Sequence, residues 1–224
     1  MVTIAAVIPA FNEGRHVAEV VRGTAPFAVG IVVVDDGSAD DTAARAREAG
    51  AVVLRHETNR GKGCAIRTGL AHALALPCSH VLLIDADLQH DPAEIPRLVA
   101  CAEQGRGDFV LGERDFRKEA MPRARYYSNT IGSAVLARFI GAPVRDSQSG
   151  LRLVRADLLR RVPLTATGYE IETEMLIKLV RAGARLDRVT VRRLDYTGAR
   201  SKIRPVRDTF RTCMLAVRYR YLAG

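Results

Sequence analysis

Short apolar runs alternate with segments of helical spacing through the first half of this chain, and that alternation leaves few folds open. Residues 3–8 form an apolar run that Pro9 ends, and Val17, Val20 and Val21 then share one helical face over residues 16–22. Residues 30–34 are β-branched with no polar alternate, the pattern of a strand covered on both faces. Asp40 or Asp41 caps a helix that runs to Ala49 and stops at Gly50. Residues 51–54, 80–84 and 109–111 read as further strands. Between them lie a helix over residues 63–76, stopped by Pro77, and one from Asp91 to about Gln104 with Pro92 in its first turn. The spacing is that of βαβ units, so the expected fold is α/β with a mostly parallel central sheet flanked by helices. In such a sheet ligands bind beyond the carboxyl ends of the strands.

The second half is less regular. Residues 123–140 read as a helix carrying Tyr127, Ile131, Val135 and Phe139, and residues 151–154 as a short strand. A helix over 170–181 places Ile171, Met175 and Leu179 on one face; residues 188–194 alternate like a strand. Residues 206–221 form an amphipathic helix. Its apolar face includes Val206, Phe210, Cys213, Met214, Val217 and Tyr221, beside a stripe of Arg204, Arg207, Arg211 and Arg218. With 224 residues the chain is expected to hold one domain, residues 1–205, with a basic helix appended at 206–224.

Charge divides the chain. Residues 1–110 carry 10 Lys and Arg against 14 Asp and Glu, whereas residues 111–224 carry 24 against 11. A basic half suits an anionic partner: phosphate, membrane surface or nucleic acid. No helix-turn-helix, RNA-binding or zinc-finger pattern is present and aromatic residues are only 5%, which argues against nucleic acid. The longest apolar stretches, residues 29–34 and 81–84, fall far short of the ~20 residues that span a bilayer. The N-terminus lacks a basic segment, and Pro9, Asn12 and Glu13 interrupt it, so no signal peptide is expected. Cys64, Cys78, Cys101 and Cys213 make no CxxC pair and read as buried thiols in a reducing compartment.

Polar residues follow three of the strands. "PAFNEG" (residues 9–14) comes after the first, Asp35 and Asp36 end the second in "VVVDDGSADDT", and Asp85 and Asp87 end the fourth in "LLIDADLQHDP". A carboxylate pair at i and i+2 just past a strand suits a hard cation, Mg2+ or Mn2+, with Gln89 adding a neutral oxygen. In "NRGKGCAIRTG" Gly61 and Gly63 flank Lys62 where a helix begins, an arrangement in which backbone and helix N-terminus can approach a phosphate. It has neither P-loop nor dinucleotide-fingerprint spacing. The five histidines form no cluster, and His90, beside the metal motif, reads as structural.

"VIPAFNEG", "VVVDDGSADDT", "NRGKGCAIRTG", "DADLQHDP" and "DSQSGLRL" occur in the order seen in family 2 glycosyltransferases. Over about residues 3–205 the chain resembles the dolichyl- and polyprenyl-phosphate mannose synthases and their glucosyl relatives. The resemblance implies a GT-A catalytic domain, a nucleotide-sugar donor, a divalent metal and inversion at the anomeric carbon. It places Pro9, Ala10, Asn12 and Glu13 on the nucleotide pocket, with Asp36 at the base or ribose and Asp35 beside it. Asp85 falls near the sugar phosphate and metal, and Asp87 and Gln89 are implied metal ligands. Arg114, Arg125 and Ser128 match positions near the acceptor phosphate. Ser201 and Lys202, in "GARSK", resemble a basic motif that closes over the diphosphate. Asp146, in "DSQSG", is the best carboxylate to orient the acceptor or act as base, whereas Glu172 and Glu174 read as helix-dipole charges with one of them facing the site.

The expected activity is metal-dependent transfer of a hexose from a nucleotide sugar to a polyprenyl phosphate. GDP-mannose is the first donor and UDP-glucose the second; transfer to a soluble or glycan acceptor is the alternative. A nucleotidyltransferase is disfavoured by the missing N-terminal phosphate loop, and a nucleotide-sugar sensor by the intact Asp85–Asp87–Gln89 set. A cytoplasmic protein, peripheral at the inner face of the cell membrane, is expected, with the 206–221 helix lying at the interface or packing on the domain.

Overall fold

The computed structural model describes residues 1–114, 123–192 and 194, with residues 123–129 described by backbone alone. The chain runs β1 (Ile4–Ala10), α1 (Val17–Thr24), β2 (Gly30–Asp35), α2 (Thr42–Glu48), β3 (Val52–Arg55), α3 (Lys62–Ala73) and β4 (His80–Leu83). It continues through α4 (Ile95–Glu103), β5 (Phe109–Arg114), α5 (Arg123–Ile140), β6 (Arg152–Arg155), α6 (Ala156–Arg161), α7 (Ile171–Arg181) and β7 (Leu186–Val191). Single 3-10 turns precede β2 and α4.

The seven strands form one sheet in the order β3-β2-β1-β4-β6-β5-β7. β1 runs parallel to both β2 and β4, β2 runs parallel to β3, and β5 pairs parallel with β7. β6 is antiparallel to both β4 and β5. The expected alternation therefore holds, with one reversed strand in the middle. A run such as Leu151–Val154 carries no signal of direction, so only the tertiary pairing reveals the reversal.

Period-2 alternation on β1 divides the core between two layers. Ala5 and Val7 face one side, with Ile66 and Leu70 of α3, Leu136 of α5 and Met175 of α7. Ile4, Ala6 and Ile8 face the other, with Val20 of α1 and Ile95 and Leu98 of α4. Each fully buried Val, Ile or Leu side chain contributes roughly 1.5–3 kcal/mol. Gly69 lets α3 lie close on the sheet: a Cβ there would run into Val7 and meet Val34 at 3.1 Å.

Several boundaries differ from those expected. β5 extends to Arg114, which carries Glu113 and Arg114 to the functional edge. β7 begins two residues earlier than expected and ends at Val191. The six-residue α6 is too short for helical periodicity to show. Cys101 is buried, but Cys64 and Cys78 are only half-buried; these three described cysteines are free thiols. The 206–221 helix and the division at residue 205 lie outside the described residues.

Candidate active site

Two loops at the carboxyl edge of β1 and β2 are tied to each other. Asn12 adopts φ 52°, a left-handed conformation that asparagine tolerates, and its backbone N–H donates to Ser38 Oγ at 2.8 Å. Its side-chain oxygen accepts from the Ala39 N–H at 2.8 Å. The Glu13 N–H donates to Thr42 Oγ1 and the Gly14 N–H to Asp40. Pro9 and Ala10 end the strand beneath this pair of loops.

Asp35 and Asp36 are both buried and serve different turns. Asp35 Oδ1 accepts from the Ser38 N–H at 2.9 Å. Its Oδ2 lies 3.2 Å from Arg55 Nε yet has no hydrogen-bond partner among the described residues. Asp36 accepts from the Arg60 N–H at 2.9 Å, the Gly61 N–H at 2.8 Å and His56 Nδ1 at 2.7 Å. The His56–Asp36 contact was not foreseen, because the two lie 20 residues apart in sequence. Asp36 therefore folds the glycine-rich turn that presents Lys62.

That turn is not the open phosphate cradle its glycines suggest. The Gly63 and Cys64 N–H groups both donate to the Thr167 carbonyl, at 2.9 and 3.2 Å. A Cβ on Gly63 would overlap the Ala166 carbonyl. These glycines admit another stretch of chain, and the first donors of α3 are already satisfied by it. Lys62 is left as the cationic group of the motif.

Lys62 reaches into the site between two carboxylates. Its Nζ is 2.7 Å from Asp85 Oδ1 and 2.6 Å from Glu172 Oε1, and lies 5.8 Å from the centre of the Tyr169 ring. Burial alone would lower the Lys62 pKa, but Asp85 and Glu172 outweigh it and hold the ammonium charged. Burial opposes ionisation of Asp85 too, and Lys62 overcomes it. Asp87 is pushed up, first by burial and then by the Asp85 charge. Its carboxylate accepts from the Gln89 backbone N–H at 3.0 Å and from the Gln89 amide at 2.8 Å.

Among the described residues no three His, Cys, Asp or Glu side chains gather as metal ligands. The set is instead two carboxylates and an amide. It fits a hard divalent cation that keeps positions for water and phosphate oxygens. The fit shows in the electrostatics: Asp87 is disfavoured by a neighbouring negative charge, and a lysine ammonium already stands against Asp85.

His90 joins this loop to the next. Its Nε2 accepts from the Gly150 N–H at 3.2 Å, and its buried Nδ1 has no hydrogen-bond partner among the described residues. Burial, with help from Arg114, lowers its pKa to about 4, so the ring is neutral near pH 7. Asp146, wholly buried, receives Arg114 Nε at 2.7 Å and Arg114 Nη2 at 2.9 Å. Burial raises the Asp146 carboxyl, and Arg114 more than reverses the shift. A carboxylate held this way is a poor proton acceptor, so the geometry favours orientation over general-base chemistry for Asp146. Arg114 is correspondingly neutralised.

Arg152 is the residue the sequence concealed. It is 1% exposed and donates to the carbonyls of Ser147 and Ser149, both at 2.8 Å, and of Glu172 at 2.6 Å. It binds the "DSQSG" loop to the start of α7, where Glu172 sits. A small cavity lies among Pro9, Lys62, Asp85, Arg152 and Glu172. The structure thus brings Asp85, Lys62 and Glu172 into contact, with Asp87, Gln89, Arg114 and Asp146 around them. Arg125 and Ser128 belong to α5, where only the backbone is described, and Ser201 and Lys202 lie outside the described residues.

An α/β sheet of this order, with acidic residues at its strand ends and a lysine set against them, has the frame of a GT-A-like glycosyltransferase, and comparison with known proteins agrees. Residues 5–162 match the model for glycosyl transferase family 2, and the chain belongs to that family. An uncharacterized protein of Methanocaldococcus jannaschii is 34% identical over 194 residues, covering 81% of this chain and 83% of its own. An undecaprenyl-phosphate mannosyltransferase of Micrococcus luteus is 29% identical over 211 residues, covering 88% and 86%. Among solved structures, glucosyl-3-phosphoglycerate synthase of Mycobacterium tuberculosis with Mn2+, UDP and glucosyl-3-phosphoglycerate aligns at TM-score 0.74 and 25% identity. That alignment covers 98% of this chain and 80% of the other. The fold is GT-A-like, as expected.

Proposed function

We propose that the protein transfers a hexose from a nucleoside-diphosphate sugar to a polyprenyl phosphate, with Mg2+ or Mn2+ on Asp85, Asp87 and Gln89. The single observation that carries the donor half is the contact of Lys62 with Asp85 at the β4 edge, beside Asp87 and Gln89. The Micrococcus luteus relative, which is named for a lipid-phosphate acceptor, supports the acceptor half.

Cleavage of the sugar–phosphate bond leaves negative charge on the nucleoside diphosphate. A bound divalent cation supplies neutralising charge for that leaving group. Lys62 adds a fixed ammonium, which is worth most when the charge is largest, in the transition state. Pro9, Ala10, Asn12 and Glu13, braced by the Ser38–Thr42 turn, form the nucleotide wall, with Asp35 and Asp36 behind it. A lipid phosphate is already anionic near pH 7 and needs positioning more than deprotonation. Arg125 and Ser128 of α5, and the edge carrying Arg114 and Asp146, serve that positioning; Ser201 and Lys202 complete the diphosphate side. In-line displacement by the acceptor phosphate inverts the anomeric carbon.

GDP-mannose remains the first donor, in line with the mannosyltransferase relative, and UDP-glucose the second, in line with the UDP-bound structural neighbour. A second acceptor reading is a soluble phosphorylated acid, favoured by the glucosyl-3-phosphoglycerate in that neighbour. No helix among the described residues is long and apolar enough to cross a membrane. Peripheral association through the basic 206–221 segment, at the cytoplasmic face, follows from the lipid-acceptor reading. Nucleoside diphosphate release should be followed from GDP-mannose and UDP-glucose with Mn2+, alone, with polyprenyl phosphate in detergent, and with 3-phosphoglycerate. Lipid-stimulated release supports the main reading and names the donor. Release stimulated only by 3-phosphoglycerate replaces it with the second.

A further inference from the structure

Glu172 reads from the sequence as a helix-dipole charge, yet it is buried at 3% exposure and its carboxylate holds the same ammonium that holds Asp85. The three groups form one chain: Glu172 Oε1 to Lys62 Nζ at 2.6 Å, and Lys62 Nζ to Asp85 Oδ1 at 2.7 Å. Two cations cannot both lie against one Asp85 oxygen without strong repulsion. A divalent cation that takes the Asp85 oxygen now held by Lys62 must therefore move the ammonium, and a buried ammonium left without a counter-ion is costly.

We propose that Lys62 occupies the place of the metal at Asp85 until donor and cation bind, and that Glu172 is the positioning residue that receives it. The proposal rests on the metal-dependent reading above.

Several features of the fold suit this exchange. Lys62 stands at the first position of α3, on a turn shaped by Asp36, so its side chain pivots from a fixed base. Glu172 is fixed from below, because Arg152 grips its backbone carbonyl at 2.6 Å. The small cavity among Lys62, Asp85 and Glu172 leaves the ammonium room to shift. Glu172 already holds Lys62 Nζ at 2.6 Å, so the ammonium keeps this counter-ion when it leaves Asp85. The site thus trades one internal cation for an external one, and the released lysine stays next to the diphosphate it must neutralise.

The experiment measures Mn2+ binding by calorimetry and by electron paramagnetic resonance, with no nucleotide and again with UDP or GDP. Lys62→Met is expected to tighten nucleotide-free Mn2+ binding on the order of tenfold, an ordinary size for coupling between two sites. Lys62→Arg keeps a cation and is expected to leave binding as weak as in the unaltered protein. Glu172→Gln is expected to weaken binding, and to do so less when combined with Lys62→Met. Unchanged or weaker binding in Lys62→Met overturns the competition. An equal effect of Glu172→Gln with and without Lys62 overturns its receiving role. If the unaltered protein binds no Mn2+ even with nucleotide, the metal reading itself fails, and this inference with it. Lysines number only four, so the Nζ resonance of Lys62 can also be followed by NMR in the unaltered protein. That signal should move as Mg2+ is added, and a static signal under saturating Mg2+ sinks the exchange whatever the variants do.

Discussion

The guanidinium of Arg114 meets the carboxylate of Asp146 at two points, 2.7 and 2.9 Å, with both side chains buried. One partner ends β5 and the other opens the loop before β6, so the pair joins the edge of the sheet to the "DSQSG" segment. Removing one member of a buried pair strands the other, which typically costs 3–5 kcal/mol. Asp146→Ala is therefore expected to lower stability by about that amount in urea unfolding. Arg114→Lys, which loses the two-point geometry but keeps the charge, should cost less. If Asp146→Ala removed activity with no loss of stability, orientation through Arg114 would give way to a direct chemical role.

Asp36 offers a different kind of test. Its carboxylate accepts two backbone N–H groups of the turn that carries Lys62, plus His56. Asp36→Asn replaces one acceptor oxygen with a donor that faces an N–H. The turn should loosen by about 1–3 kcal/mol. The expected kinetic result is a raised KM for the nucleotide sugar together with a lowered kcat, since Asp36 stands behind the nucleotide wall and shapes the turn that carries Lys62. A change in acceptor KM alone would separate Asp36 from the donor side.

Asp87 tests the cation. Asp87→Ala is expected to reduce Mn2+-dependent turnover by on the order of 100-fold or more, the scale of losing a transition-state charge contact. The fold should survive, because in the absence of a cation burial and Asp85 both disfavour the Asp87 charge. A melting temperature equal to or above that of the unaltered protein, with activity gone, is the expected pair of results. Full activity over the same range of Mn2+ concentration would remove Asp87 from the site.

These tests also mark where sequence and structure part company. The strands were legible from β-branched runs such as residues 30–34, and the site's edge from Asp35, Asp36, Asp85 and Asp87 at strand ends. The direction of β6 was not, because pairing is a tertiary property. The burial of Arg152 and Glu172 was hidden for a related reason. Charged residues are almost never fully buried without partners, and a sequence does not display these: backbone carbonyls of Ser147, Ser149 and Glu172 for Arg152, and Lys62, 110 residues away, for Glu172. Glycines at 61 and 63 signalled a close approach but not its object, which is the backbone of Ala166 and Thr167.

Glu174 shows how far such hidden partners reach. Taken as a helix-dipole charge, it is in fact fully buried and receives the Thr165 hydroxyl at 2.7 Å, the Ala166 N–H at 2.8 Å and the Thr165 N–H at 2.9 Å. Lys178 stands 2.7 Å away. Burial alone would raise its pKa, but Lys178, Thr165 and the backbone donors overcome this and hold it at about 2. A depressed carboxyl contributes stability above its unfolded value near 4.5, and that contribution is lost as pH falls toward 2. The segment it pins, residues 165–167, is the one that satisfies the start of α3 behind Lys62. Glu174→Gln should thus lower stability by about 1.5–3 kcal/mol at pH 7, the worth of hydrogen bonds to a charged group. Urea unfolding across pH 2–7 should show the gap between variant and unaltered protein constant down to about pH 4.5 and closing below it. A gap that stayed the same down to pH 2 would mean that packing, not the carboxylate charge, holds this segment against α3.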